Sequence, residues 1–177
     1  MTTDDDQPAE IRQYRFALPE GATDILLVRH GESAPAREDA PAPTVDGHSD
    51  PALDPVGEEQ AQLLAERLAG DDIAAIYVTT LRRTQQTAAP LAEKLGLTPT
   101  VVADLREVYL GDWEGYTFRK NVAEQNEIAI QIFTEQRWDV IPGAETTEQL
   151  AERVTRGIKE IAAAHPNQRV VAVVTAG

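Results

Sequence analysis

The 177-residue chain contains no cysteine, which excludes disulfides and thiolate chemistry and fits a reducing compartment. Long apolar runs are missing as well: a run such as Val170 to Val174 is far short of the roughly 20 residues a transmembrane helix needs. The opening residues, MTTDDDQPAE, are acidic where a signal peptide is basic, so a cytoplasmic protein is expected. Lysine is scarce, with three against 13 arginines, and 30 acidic residues outnumber the 16 basic ones for a net charge of −14. That balance argues against nucleic acid or an anionic membrane as partner. It leaves room for a small anionic ligand wherever arginines gather, because the planar guanidinium suits bidentate contact with phosphate. Aromatic residues make up only 5%, yet 42% of the chain is apolar, which is ordinary for a globular protein of one domain. Nothing in the sequence decides oligomeric state, so a homo-oligomer stays open.

Residues 1–22 carry no sustained hydrophobic period and read as an irregular N-terminal extension, with 23–177 as a single domain. "DILLV" (24–28) is a short continuous apolar run, as expected of a strand buried on both faces of a parallel sheet. It runs into Arg29 and His30, and Gly31 permits a tight turn. Residues 34–52 are rich in Pro and Ala and read as a long loop. Asp54 as N-cap and Pro55 at the first helical position then open a helix with Val56, Ala61, Leu63, Leu64 and Leu68 on one stripe. Strands are expected at 73–80 and 98–103, with a helix over 82–95 that stops at Gly96. Residues 111–145 break the alternation and read as a lid-like insertion with one helix around 120–136. A capping box, Thr146 with Gln149, opens a helix to Ala164, and "RVVAVVTAG" closes the chain as a fourth strand. Alternating strands and helices predict a three-layer α/β/α fold with a mainly parallel central sheet.

Ligands of open α/β sheets gather at the carboxyl ends of the strands. Three such ends carry charged or titratable side chains, so Arg29, Arg82, Arg83 and Arg106 are predicted to meet there, beside His30 and Glu107. A local cationic site in a strongly acidic protein follows. No His, Asp or Glu cluster has metal-ligand spacing, so neither a metal nor another cofactor is inferred.

The order of blocks is informative beyond any one of them. "RHGES", "GHSDPALDPVGEEQA" (47–61), "TTLRRTQQTA" (79–88), "LREVYLGDWEG" (105–115) and "PGAETTEQLAERV" (142–154) resemble, in sequence, the blocks of the histidine phosphatase superfamily. That superfamily includes cofactor-dependent phosphoglycerate mutases and many phosphomonoesterases. The resemblance implies a phosphoglycerate mutase-like fold and a reaction on a small phosphate ester. It implies that His30 attacks phosphorus and becomes a phosphohistidine, that Arg29 and Arg83 hold the phosphoryl oxygens, and that Glu107 is the acid/base. Candidate substrate contacts are His48 and Arg82, together with Glu32 and Ser33, whose other reading is hydrogen bonding around the nucleophile, and Trp113 and Tyr116 of the insertion, whose other reading is simple core. His165, at the end of a long helix, reads as a cap.

Two departures qualify the resemblance. Mutases follow RHGES with a tryptophan and an asparagine that orient phosphoglycerate, and this chain has Ala36 at the asparagine position. Phosphomonoester hydrolysis is therefore preferred over mutase activity. The last strand of the family runs into a second histidine, and here the residue is Ala176. Loss of such a transition-state donor costs on the order of 100- to 1000-fold in rate. The expectation is thus an impaired phosphatase, with a mutase and a non-catalytic phospholigand-binding module as alternatives. A fragment of a longer protein with a deliberate histidine-to-alanine change fits better than a natural variant, since every other catalytic position is present. A sheet left uncovered after its central strand points the same way.

Overall fold

The computed structural model describes residues 17–175, so most of the predicted extension, 1–16, lies outside the described residues, as does Ala176. In chain order the elements are β1 (Asp24–Arg29), β2 (Thr44–Val45), β3 (His48–Ser49), α1 (Pro55–Leu68), β4 (Ile73–Val78), α2 (Arg82–Leu95), β5 (Thr100–Val101), α3 (Tyr116–Ala123), α4 (Glu127–Glu135), α5 (Thr147–Ala164) and β6 (Arg169–Val174). Short 3₁₀ turns occupy Ala103–Leu105 and Gly111–Trp113. Residues 17–22 form neither helix nor strand.

Valine-rich β6 has Val170, Val171, Ala172 and Val173 fully buried, and that dictates its place. Each buried valine stabilises by about 1.5–3 kcal/mol relative to exposure, which only a strand covered on both sides and both faces can realise. Accordingly the main sheet runs β1-β6-β4-β5 with every pairing parallel. One face packs on α1 and α2 through Ala65, Leu68, Ile76, Ala88 and Leu91. The other packs on α5 through Ile161, Val154 and Ile158. These are the three layers and the parallel sheet expected from the alternation.

Several details differ from the sequence expectation. Strand β1 is not buried on both faces: it lies at the sheet edge and Leu27 is 62% exposed. The buried side of α1 is Gly57, Ala61, Ala65 and Leu68, spaced by about one turn, while Val56 and Leu63 face outward at 49% and 57% exposure. The strand expected over 98–103 contracts to Thr100–Val101. Within the 34–52 loop, β2 and β3 form a small antiparallel hairpin around Asp46 and Gly47, both at positive φ. The single helix around 120–136 is two helices, because Gln125 takes φ 52° and the Asn126 side chain caps α4 by accepting from the Ile128 amide. This segment has its own small core of Trp113, Ala129, Ile132 and Ile141, with Phe118 and Trp138 packed against it.

Candidate active site

His30 follows β1 directly, and its amide continues the sheet by donating to the Val174 carbonyl. Main-chain contacts hold the turn that follows. The Gly31 amide donates to Thr87 Oγ1 at 2.9 Å, and the Asp54 amide donates to the Glu32 carbonyl at 3.0 Å. A Cβ on Gly31 would stand 2.6 Å from the Gly57 carbonyl, and one on Gly57 would stand 2.0 Å from the Glu32 carbonyl. Both positions therefore admit only glycine, and α1 is seated on the backbone of residues 31–32.

The His30 ring is held in one tautomer. Nδ1 lies 2.7 Å from the Gly31 carbonyl, which can only accept, so Nδ1 carries the proton. The Nε2 lone pair then accepts from Arg83 Nε at 3.2 Å. Burial, followed by the positive charges of Arg83, Arg29 and Arg119 and against the pull of the Gly31 carbonyl, lowers the imidazole pKa from 6.5 to about 4. The ring is neutral at neutral pH, with Nε2 unprotonated beside Arg83 in the cleft.

Arg83 sits in the first turn of α2, 8% exposed, and its Nη1 donates to the Ser49 carbonyl at 3.0 Å. Arg29, at the end of β1, lines the same cleft of about 990 Å³, as do Glu107, Glu114 and Arg119. Glu107 is half-buried, and its Oε1 accepts from the Val108 amide at 3.1 Å. A neutral imidazole, cationic guanidinium groups and a carboxyl thus face one space. That set is able to pass a phosphoryl group to nitrogen and a proton to a leaving oxygen.

The description "Histidine phosphatase superfamily (branch 1)" belongs to a family model that matches residues 25–177. This chain belongs to that superfamily. It is 35% identical over 158 residues to phosphoglycerate mutase-like protein 4 of Arabidopsis thaliana, covering 87% of this chain and 66% of that protein. It is 33% identical over 159 residues to metal-independent phosphoserine phosphatase of the same plant, covering 88% and 65%. Among solved structures, a mycobacterial glucosyl-3-phosphoglycerate phosphatase superposes with a TM-score of 0.70 at 28% identity, covering 87% of this chain and 74% of that one. The chain spans only 66% and 65% of the length of those two curated relatives.

The other predicted contacts divide. Glu32, Ser33, His48 and Tyr116 line the cleft of this superfamily member. His48 is 8% exposed; its Nδ1 donates to the Asp46 carbonyl and its ring leans on Tyr109, leaving Nε2 buried without a partner among the described residues. Arg82 does not line the cleft. Its Nε and Nη2 donate to the Asp50 carbonyl at 2.8 and 2.6 Å, and its amide donates to Asp50 Oδ1. Arg106 is likewise taken up, by Asp46. Trp113 is 7% exposed in the core of the 111–145 segment, where burial of the large ring outweighs any use at the surface. His165 does end α5, where its ring bonds Tyr77 and Gln168.

Two cleft residues escaped the sequence reading. Arg119 of α3 reaches Ser33 Oγ at 3.2 Å and has no carboxylate partner within 4.0 Å among the described residues. Glu114 accepts from the Ser49 amide at 2.8 Å and the Leu110 amide at 2.9 Å, joining β3 to the 111–145 segment. A helical arginine on the open side of a mixed segment carries no sequence signal of its own. The only clue to Glu114 was its place in the block "GDWEG". No group of three or more His, Asp or Glu side chains among the described residues is arranged to hold a metal ion.

Proposed function

We propose that this chain is a phosphomonoesterase for a small phosphorylated metabolite, working through phospho-His30 as a single domain in the cytoplasm. The observation that carries the reading is the His30 ring, pinned at Nδ1 by the Gly31 carbonyl with its Nε2 lone pair beside Arg83 in the cleft. Nε2 attacks phosphorus while the bond to the ester oxygen breaks, and that oxygen takes the proton of Glu107. Arg29, Arg83 and Arg119 offset charge on the equatorial oxygens. Water then attacks the phosphohistidine, gives its proton to the Glu107 carboxylate, and displaces neutral Nε2 with release of inorganic phosphate. The 111–145 segment walls the cleft as a lid and selects the ester through Tyr116 and Arg119.

Ala176 stands at the position of the second histidine of the family, so the reading includes slower turnover by this chain than by one with histidine there. The test is phosphate release from a panel including phosphoserine, 3-phosphoglycerate and glucosyl-3-phosphoglycerate, with the chain as it stands and with A176H. The reading predicts faster release with A176H and none with His30→Ala. Isomerisation of 3-phosphoglycerate without net phosphate release would make the chain a mutase instead. Binding without turnover in A176H would make it a phospholigand-binding module.

A further inference from the structure

We infer that Arg153, with Glu145, positions the acid/base Glu107 by clamping the backbone on which it stands; the inference rests on the role proposed for Glu107. Glu107 belongs to an irregular stretch between the 3₁₀ turn Ala103–Leu105 and the 111–145 segment, so no helix or sheet ladder fixes its carboxyl. The Arg153 guanidinium, sent across from α5, holds the backbone that carries it. Its Nη1 donates to the carbonyls of Asp104 and Arg106 at 2.7 and 2.8 Å, and its Nη2 donates to the carbonyl of Glu107 itself at 2.8 Å.

The remaining donors are used on Glu145, at 2.6 Å from Nε and 2.8 Å from Nη2. All five N–H groups of the guanidinium are therefore satisfied, three of them by carbonyls of residues 104–107. Glu145 is anchored in turn: its Oε2 accepts from the Tyr109 amide and its own amide donates to the Tyr109 carbonyl. Burial alone would raise the Glu145 carboxyl, but the bonds from Arg153 and Tyr109 hold it below the usual carboxylate range. The pair is largely shielded, at 17% and 13% side-chain exposure, so it is screened little by solvent. Its bonds fall on residues 104–109 and none on the ligand space, which makes Arg153 a positioning residue.

Lysine keeps the charge but presents a point, and it cannot reach three carbonyls and a carboxylate together. R153K therefore lets the Glu107 carboxyl drift, and misplacement by about 1 Å costs roughly 100-fold where proton transfer matters. Proton transfer matters for an alkyl ester and little for an aryl ester, whose leaving group departs as a stable anion. The experiment is kcat/KM, which reports formation of the phosphoenzyme, for 3-phosphoglycerate and p-nitrophenyl phosphate in A176H carrying E107Q, R153K or E145Q. Thermal melts establish that each variant is folded, and E145Q serves if R153K is not.

The expected result is that E107Q and R153K both lower kcat/KM for the alkyl ester by about 100-fold and for the aryl ester by only a few-fold. If E107Q discriminates between the esters while the folded clamp variant lowers both equally or neither, the inference is overturned and the role of Glu107 stands. If E107Q fails to discriminate, the acid role falls and the inference with it.

Discussion

The two walls of the cleft are built in different ways. On the wall of the proposed nucleophile, His30 stands on a strand end, its ring bonded to the carbonyl of its own neighbour, its loop held by the Thr87 hydroxyl, by the Asp54 amide on the Glu32 carbonyl and by the Gly31–Gly57 contact. On the acid wall, Glu107 stands on irregular backbone that a charged pair from another layer holds in place. The first arrangement tolerates no added atom. The second tolerates change in shape but depends on long side chains keeping their partners. The geometry of the proposed nucleophile is thus set mainly by close backbone packing, and that of the proposed acid by a pair of long side chains.

The strongest break of this comparison is removal of the nucleophile. His30→Ala in the A176H chain should lower phosphate release by roughly 10⁴-fold or more, because the attacking nitrogen is gone and the other cleft imidazole, His48, has its Nε2 buried. Residual turnover within tenfold of A176H would deny His30 its role.

Next in size is Gly57→Ala. Its Cβ would stand 2.0 Å from the Glu32 carbonyl, and backbone cannot rotate away. Overpacking of this kind costs about 1–3 kcal/mol, and a shift of the His30 loop by about 1 Å lowers kcat roughly 100-fold. Gly70→Ala is the control: nothing lies within 4 Å of its added Cβ, so melting temperature and kcat should be unchanged. Equal behaviour of the two variants would refute a backbone-determined wall.

Arg119→Ala should act more gently. Its side chain is exposed and contributes one cationic contact, so kcat/KM is expected to fall about tenfold with no change in melting temperature. An unchanged kcat/KM across the substrate panel would remove Arg119 from the site.

The smallest effect is the titration of His30. With its pKa lowered to about 4, the folded imidazole stays neutral where an unfolded one, at 6.5, takes up a proton. Between those values the unfolded state binds more protons, so stability declines as pH falls from 6.5 toward 4 and is unaffected by this group above that window. An NMR titration of the His30 ring should show its midpoint near pH 4, and a midpoint near 6.5 would contradict the buried, neutral nucleophile.

The same contrast explains what was legible beforehand. Asp54 with Pro55, the Thr146 capping box and the left-handed Gly96 stop marked helix ends correctly, because caps act within a few residues. His30, Arg29, Arg83 and Glu107 were found from ordered blocks and meet in one cleft. Arg82 was misjudged because a bond to Asp50, 32 residues away, decides its direction. Arg153 shows in the sequence only as part of a helix, since its partners lie 46 to 49 residues away on another layer. The break at Gln125 and the hairpin at Asp46 rest on positive φ at non-glycine residues, which hydrophobic period does not reveal.

The central claim is that phosphate passes through His30 Nε2. Mixing E107Q in the A176H chain with p-nitrophenyl phosphate gives a leaving group that needs no acid and an intermediate that lacks its base for hydrolysis. The account predicts a burst of one p-nitrophenolate per chain and an acid-labile phosphoryl group mapped to His30 by mass spectrometry. A chain that turns over without a burst, or a phosphoryl group that survives His30→Ala, would contradict it.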